Sequence, residues 1–287
     1  MRSIIVGRIL LIGVFMIPTE QRNERSMHID QMSTYEMLKL MNEENMNSVR
    51  AVDRAIPEIE KAVDAVTKAF EEGHHLVYIG AGTSGRLGVL DASECPPTFG
   101  VSPELVRGII AGGYERLVSA GENAEDSYES GCRDVKEVLQ AGDVLVGISA
   151  AGGAKYVIGA LETAQALGCT TVALSSNPEA PMKKAADIFI FCDTGPEVVT
   201  GSTRLKAGNS QKFVLNMIST CAMIRTGKVY ENLMINLKPS NEKLTGRVKR
   251  ITAAILDCTE AQAEQYLNEN DWNIRKTVES RSRGTIS

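Results

Sequence analysis

A doubly wound α/β fold, a parallel sheet flanked by helices, is predicted for this chain of 287 residues. Three observations carry the prediction. Five short runs rich in apolar and β-branched residues, at 76–79, 106–111, 144–149, 170–174 and 188–192, alternate with stretches of helical periodicity. That alternation calls for right-handed crossovers and a sheet covered on both faces. The first run leads into a glycine-rich turn, Gly80-Ala81-Gly82-Thr83-Ser84-Gly85, with a helical segment after Ser84. On either side of the strands the patterned sequence is helical, which adds a helical N-terminal arm and a small C-terminal helical region.

Residues 1–18 are read as a leader, either disordered or a start-site extension. Arg2 and Arg8 precede an apolar run over 9–17 that imitates an export signal. The run is too short to span a bilayer and lacks a small-residue cleavage site. The arm, 19–64, opens a helical pattern over 33–70 in which Met37, Leu40, Met41, Val49, Val52, Ile56, Ile59, Val63, Val66 and Phe70 recur at three- and four-residue spacings. Gly73 closes it. The sheet domain is assigned to 65–228 and includes a long helix over 202–227, with Ala207, Leu215, Ile218 and Ala222 among its apolar contacts. The remainder, 229–287, is helical, charged and without strands. In such a fold ligands bind beyond the carboxyl ends of the strands, where the loops 80–86, 112–114, 149–155, 175–178 and 194–203 gather.

Composition narrows the partners. With 31 basic and 36 acidic residues spread evenly, net charge −5, no basic stripe argues for nucleic acid. The leader apart, nothing argues for a membrane. Six cysteines stand far apart without a C-x-x-C pair, and His28, His74 and His75 do not neighbour them. That is neither a zinc pattern nor a disulfide framework, so no metal is assigned and a reducing cytosol is the simple reading.

The glycine turn fits G-x-G-x-x-G letter for letter, but a dinucleotide site also wants an acid at the end of the next strand. Here that strand ends in Ala111-Gly112-Gly113. A strand-to-helix turn aims backbone N–H groups and the positive end of a helix dipole at an anion. The hydroxyls of Thr83 and Ser84 suit a sugar phosphate better than a nucleotide. Glu94 follows about three helical turns on, or just past a helix end at Pro96-Pro97, as a possible proton-transfer group.

The segment from Tyr78 to Thr98, with Asp91-Ala92-Ser93-Glu94-Cys95-Pro96-Pro97-Thr98 at its end, resembles the N-acetylmuramic acid 6-phosphate etherases. So do Gly195-Pro196-Glu197-Val198-Val199-Thr200-Gly201-Ser202-Thr203-Arg204-Leu205-Lys206-Ala207-Gly208 and Lys228-Val229-Tyr230-Glu231-Asn232-Leu233-Met234. The likeness runs from Thr19-Glu20-Gln21-Arg22-Asn23 to about residue 256. It implies a sugar isomerase (SIS) fold and a cytoplasmic, homodimeric lyase of amino-sugar catabolism and cell-wall recycling. Such an enzyme removes a D-lactyl ether from a sugar phosphate by elimination and water addition. That chemistry uses carboxylate acid/base groups and no cofactor.

The resemblance implies Glu94 as one catalytic carboxylate and Glu125, in Gly121-Glu122-Asn123-Ala124-Glu125-Asp126, as the second. The bland alternatives are a solvated helix-end acid or a partner for Arg86 at Glu94, and a first-turn acid complementing a helix dipole at Glu125. Gly82, Thr83 and Ser84 are expected to contact phosphate or sugar, although N-capping would also explain the hydroxyls. Ser202, Thr203 and Lys206 are expected at the ligand from the start of the long helix, and Glu197 at sugar hydroxyls. One departure stands out. Where these etherases read Ala-Ser-Gly-Arg-Thr-Pro-Tyr, this chain reads Ala150-Ala151-Gly152-Gly153-Ala154-Lys155-Tyr156. Two hydroxyls and a guanidinium are missing, which leaves open a non-catalytic sugar-phosphate-binding regulator on the same fold. An aldose–ketose isomerase is a weaker third reading.

Overall fold

The computed structural model describes residues 17–119, 124–237, 239 and 241–281. Leader residues 1–16 and Glu122 lie outside the described residues. Five strands, β1 Leu76–Gly80, β2 Val106–Ile110, β3 Val144–Ile148, β4 Thr170–Ser175 and β5 Ile188–Phe191, form one sheet in the order β2-β1-β3-β4-β5. Every neighbouring pair is parallel. The central strand β1 sets Tyr78 against Gly108 on one side and Val146 on the other.

Side chains alternate across the sheet and build two cores, as a parallel sheet covered on both faces requires. On one face Leu76 and Tyr78 pack with Val52, Ile59 and Val66 of α1 (Thr34–Glu71) and with Val214 and Ile218 of α5 (Lys206–Arg225). On the other, Val77 and Ile79 pack with Val157 and Leu161 of α4 (Lys155–Ala166), beside α3 (Tyr128–Lys136). A third cluster, including Ile235, Val248, Leu267 and Ile274, belongs to the C-terminal helices α6 (Glu242–Leu256), α7 (Glu260–Asn268) and α8 (Ile274–Arg281). None of the described helices is long and apolar enough to cross a membrane.

Three boundaries differ from the expectation. The arm and sheet domain share α1, which crosses 64–65 without a break because its apolar stripe continues along α5. A Ser33/Glu36 capping box starts that helix. The helix after the glycine turn, α2 (Gly82–Phe99), passes through Pro96 and Pro97. Each ring removes a backbone bond, a loss of about 3 kcal/mol in a helix interior. Here Cys95 and Phe99 are buried and hold the last turn in place. Gly100, at φ 65°, ends it. Finally, α5 starts at Lys206, four residues later than the hydroxyl pattern suggested.

Candidate active site

The turn after β1 is closed backbone on backbone. A Cβ on Gly80 would lie 2.7 Å from the Gly85 nitrogen, and one on Gly85 would lie 2.6 Å from the Gly80 oxygen. Gly82 opens α2 in the left-handed region at φ 53°. No side chain caps α2 from Ala81, so its first N–H groups are left for another partner. The segment before α5 comes to the same place. At Gly208, a Cβ would meet the Thr203 carbonyl oxygen at 3.3 Å and the Thr83 methyl at 3.5 Å. Thr83 and Thr203 thus converge over one glycine, with Ser202 beside them. Their three hydroxyls make no hydrogen bond among the described residues.

Other expected contacts have partners inside the protein. The Ser84 hydroxyl is buried and donates to Gln211 Oε1 at 2.9 Å. Lys206 is the first residue of α5 and buried, and its Nζ donates to Glu44 Oε2 at 2.6 Å. Glu44 also accepts from Asn23 at 2.8 Å and from Arg25 at 2.9 Å. Burial pushes the Glu44 carboxyl up, but the Lys206 and Asn23 hydrogen bonds outweigh it and hold the group below its ordinary range. Glu197 is fully buried, and its two oxygens accept from the backbone N–H groups of Lys206 and Ala207 at 3.1 and 3.0 Å. It caps α5 from nine residues upstream, and burial raises its carboxyl above the ordinary range. Lys206 and Glu197 therefore fix the start of α5, and with it Ser202 and Thr203.

The two candidate carboxylates occupy different cavities. Because α2 is continuous, Glu94 lies roughly 18 Å along the axis from Gly82 and about 120° round it. It is exposed and without a hydrogen bond among the described residues, in a cavity of about 260 Å³ beside Leu90, Asp91, Lys212 and Asn216. Arg86 is not its partner; that guanidinium donates to the carbonyls of Leu117 and Ser119. Glu125 sits in a short turn, Ala124–Asp126, ahead of α3, whose cap is Ser127. It faces a cavity of about 200 Å³ with Gly82, Arg86 and Arg116. The structure thus sets Glu125 at the glycine turn and Glu94 farther down α2.

Asp91, Lys212 and Asn216 were missed in the sequence. Thr83, Leu87, Asp91 and Glu94 follow a four-four-three spacing that marks one helix face, and that stripe was the available signal.

In the second turn, after β3, the Ser149 hydroxyl accepts from the Gly152 N–H at 3.1 Å. The backbone is pinned by the loop after β4: Ser175 and Asn177 side chains donate to the carbonyls of Ala150 and Ala151 at 2.9 and 3.0 Å. Gly152, at φ 72°, packs against Ala180, whereas a Cβ on Gly153 would meet nothing within 4 Å. Ala154 caps α4 with no side-chain bond.

A five-stranded parallel sheet in this order, flanked by helices, is the fold of the SIS class. Residues 58–165 match the glucokinase regulatory protein N-terminal SIS domain family. The fold resembles the phosphoheptose isomerase of Neisseria gonorrhoeae at a TM-score of 0.51 and 15% identity, over 66% of this chain and 98% of that one. A phosphoheptose isomerase from Francisella tularensis gives a TM-score of 0.50 at 18% identity, over 68% of this chain and 99% of that one. Within the class the assignment is specific. The N-acetylmuramic acid 6-phosphate etherase of Aeromonas hydrophila is 54% identical over 91% of this chain and 88% of its own length. Those of Photorhabdus laumondii and Clostridium botulinum are 51% and 50% identical over 91% and 93% of this chain and 87% and 89% of their own lengths. This chain belongs to the N-acetylmuramic acid 6-phosphate etherase family.

Proposed function

We propose that the protein cleaves the D-lactyl ether of N-acetylmuramic acid 6-phosphate to N-acetylglucosamine 6-phosphate and D-lactate. In the open-chain sugar a carboxylate takes the proton from C2. The bond from C3 to the ether oxygen breaks, and a carboxylic acid protonates the departing lactate oxygen. Water then adds across the C2–C3 double bond, its oxygen going to C3. Glu94 and Glu125 supply the two groups. The first N–H groups of α2, from Gly82 onward, with the hydroxyls of Thr83, Ser202 and Thr203, hold phosphate and sugar; Ser84 shapes the turn through Gln211. Glu197 and Lys206 act by fixing the start of α5. The observation that carries this reading is the family match over nine-tenths of the chain, with Glu94 unpaired among the described residues in its own cavity.

Glu94 and Glu125 line different cavities, and Glu94 lies roughly 18 Å along α2 from Gly82, which shares a cavity with Glu125. The reading therefore takes the enzyme as a cytoplasmic homodimer in which a second copy completes each site. Incubation with N-acetylmuramic acid 6-phosphate and an enzymatic assay for D-lactate tests the activity. The bare turn at 151–154 and the match to the glucokinase regulatory protein domain favour a second reading, a sugar-phosphate-binding regulator. Saturable binding of N-acetylglucosamine 6-phosphate with no lactate release would select it.

A further inference from the structure

Among the described residues lining the cavity around Glu94, one is a cation. Lys212 on α5 is exposed, and its Nζ donates to Asn216 Oδ1 at 2.9 Å. The Asn216 amide nitrogen in turn donates to Asp91 Oδ1 at 2.6 Å. The chain from Lys212 through Asn216 to the buried Asp91 orients the amide, since its oxygen must face the ammonium and its nitrogen the carboxylate. One of the three ammonium donors is used and two are left. Leu87, Leu90 and Leu215 supply an apolar wall. At about 260 Å³ the cavity is smaller than a site for a whole drug-sized ligand and suits one end of a substrate.

We infer that Lys212 binds the carboxylate of the lactyl group and sets leaving-group specificity, with the leucine wall receiving the lactyl methyl. The inference rests on the etherase reading and on Glu94 acting at this cavity. In a lactyl ether the carboxylate is attached to the carbon that bears the ether oxygen. A carboxylic acid at Glu94 that protonates this oxygen becomes a carboxylate, and a second negative charge then lies close by. Two like charges in one small cavity repel unless a cation lies between or beside them. Lys212 is that cation among the cavity's lining residues, held in place by Asn216 and able to offer charge-assisted hydrogen bonds.

The test compares two substrates: N-acetylmuramic acid 6-phosphate and the same molecule with its lactyl carboxyl converted to the primary amide. The wild-type enzyme is expected to prefer the acid in kcat/KM by roughly ten- to hundredfold, the worth of a charge-assisted contact. Lys212→Met should lose that preference, by losing activity on the acid while turnover of the amide stays within a few-fold. Lys212→Arg should keep most of it. An acid-to-amide ratio in Lys212→Met equal to that of the wild type, in protein of unchanged melting temperature, overturns the inference alone. Failure of the wild-type enzyme to release lactate overturns the etherase reading, and this inference with it.

Discussion

Two strand-to-helix turns of the same sheet show what the fold demands and what chemistry adds. In the turn after β1, Gly80 and Gly85 touch backbone to backbone, and hydroxyls and guanidinium remain: Thr83, Ser84 and Arg86. In the turn after β3 the backbone demands are kept just as strictly, with Gly152 against Ala180 and the Ala150 and Ala151 carbonyls tied to Ser175 and Asn177. Residues 151, 153 and 154 are Ala, Gly and Ala and offer no polar side chain. Chassis and chemistry separate: in the second turn the backbone is pinned, and the polar side chains lie at its ends, Ser149 and Lys155.

The largest expected effect lies on the chemistry side of that division. Glu94→Gln should reduce lactate release by roughly 10²–10⁴-fold, the usual worth of a positioned proton-transfer group. Its melting temperature should not move, because Glu94 is exposed and unpaired. A loss under tenfold would remove Glu94 from the reaction. Mixing Glu94→Gln with Glu125→Gln sharpens the point. If each site takes one carboxylate from each copy, random pairing makes half the dimers mixed, each with one complete site, and about a quarter of wild-type activity returns. A mixture no better than either variant would place both residues in one chain's site.

Lys206 tests the division from the other side. Lys206→Met should destabilise the protein by about 3 kcal/mol, because a buried Glu44 loses its main partner. Adding Glu44→Gln should recover much of this. The Glu44 carboxyl is held low in the fold, so its contribution is present above the unfolded value and lost as pH falls through the folded one. Acid unfolding curves should show that component in the wild type and not in the double variant. If Lys206→Met instead raised KM with stability intact, the lysine would be a ligand contact.

The sheet and the order of its elements were legible because alternation, β-branched runs and glycine punctuation act locally. The pairing of Lys206 was not legible because its partner is Glu44, 162 residues away, a distance over which no local pattern reports. Glu197 is expected at sugar hydroxyls, and its capping of α5 was not legible because its partners are backbone N–H groups, which carry no residue signature. The Pro96-Pro97 pair suggested a stop, and burial of Cys95 and Phe99 overrode it. The helical rise from Gly82 to Glu94, about 18 Å, carries that carboxylate down α2. It also explains why a constellation that looks compact in sequence is spread over two cavities.

Glycine substitutions compare the two turns directly. Gly85→Ala would bring a methyl to 2.6 Å from the Gly80 oxygen and 2.7 Å from the Ile110 side chain, with backbone on one side. A destabilisation of about 3 kcal/mol is expected, at the upper end for overpacking. Gly153→Ala enters open space and, outside the left-handed region, should be neutral or stabilising by up to about 1 kcal/mol. Urea unfolding of the two variants checks this. Equal costs would mean that the second turn is as tightly packed as the first.

Refitting the second turn should have a modest effect and is the most direct test of what that turn is for. Ala151→Ser, Gly153→Arg and Ala154→Thr together restore two hydroxyls and one guanidinium on a backbone that is already pinned, and the arginine enters at a position where a Cβ meets nothing. A phosphate held by the first turn would then gain contacts from a second. A fall in KM of about tenfold, near 1.4 kcal/mol, is the expected outcome. If the turn binds substrate and transition state alike, kcat stays constant; if it orients C2 and C3 against Glu94, kcat rises as well. Ala154→Thr alone separates capping from binding. A threonine at the uncapped start of α4 should add about 1 kcal/mol of stability without changing KM. An unchanged KM in the triple variant, with the stability gain present, would show that the turn after β3 serves the fold alone and that the turn after β1 holds the phosphate without it.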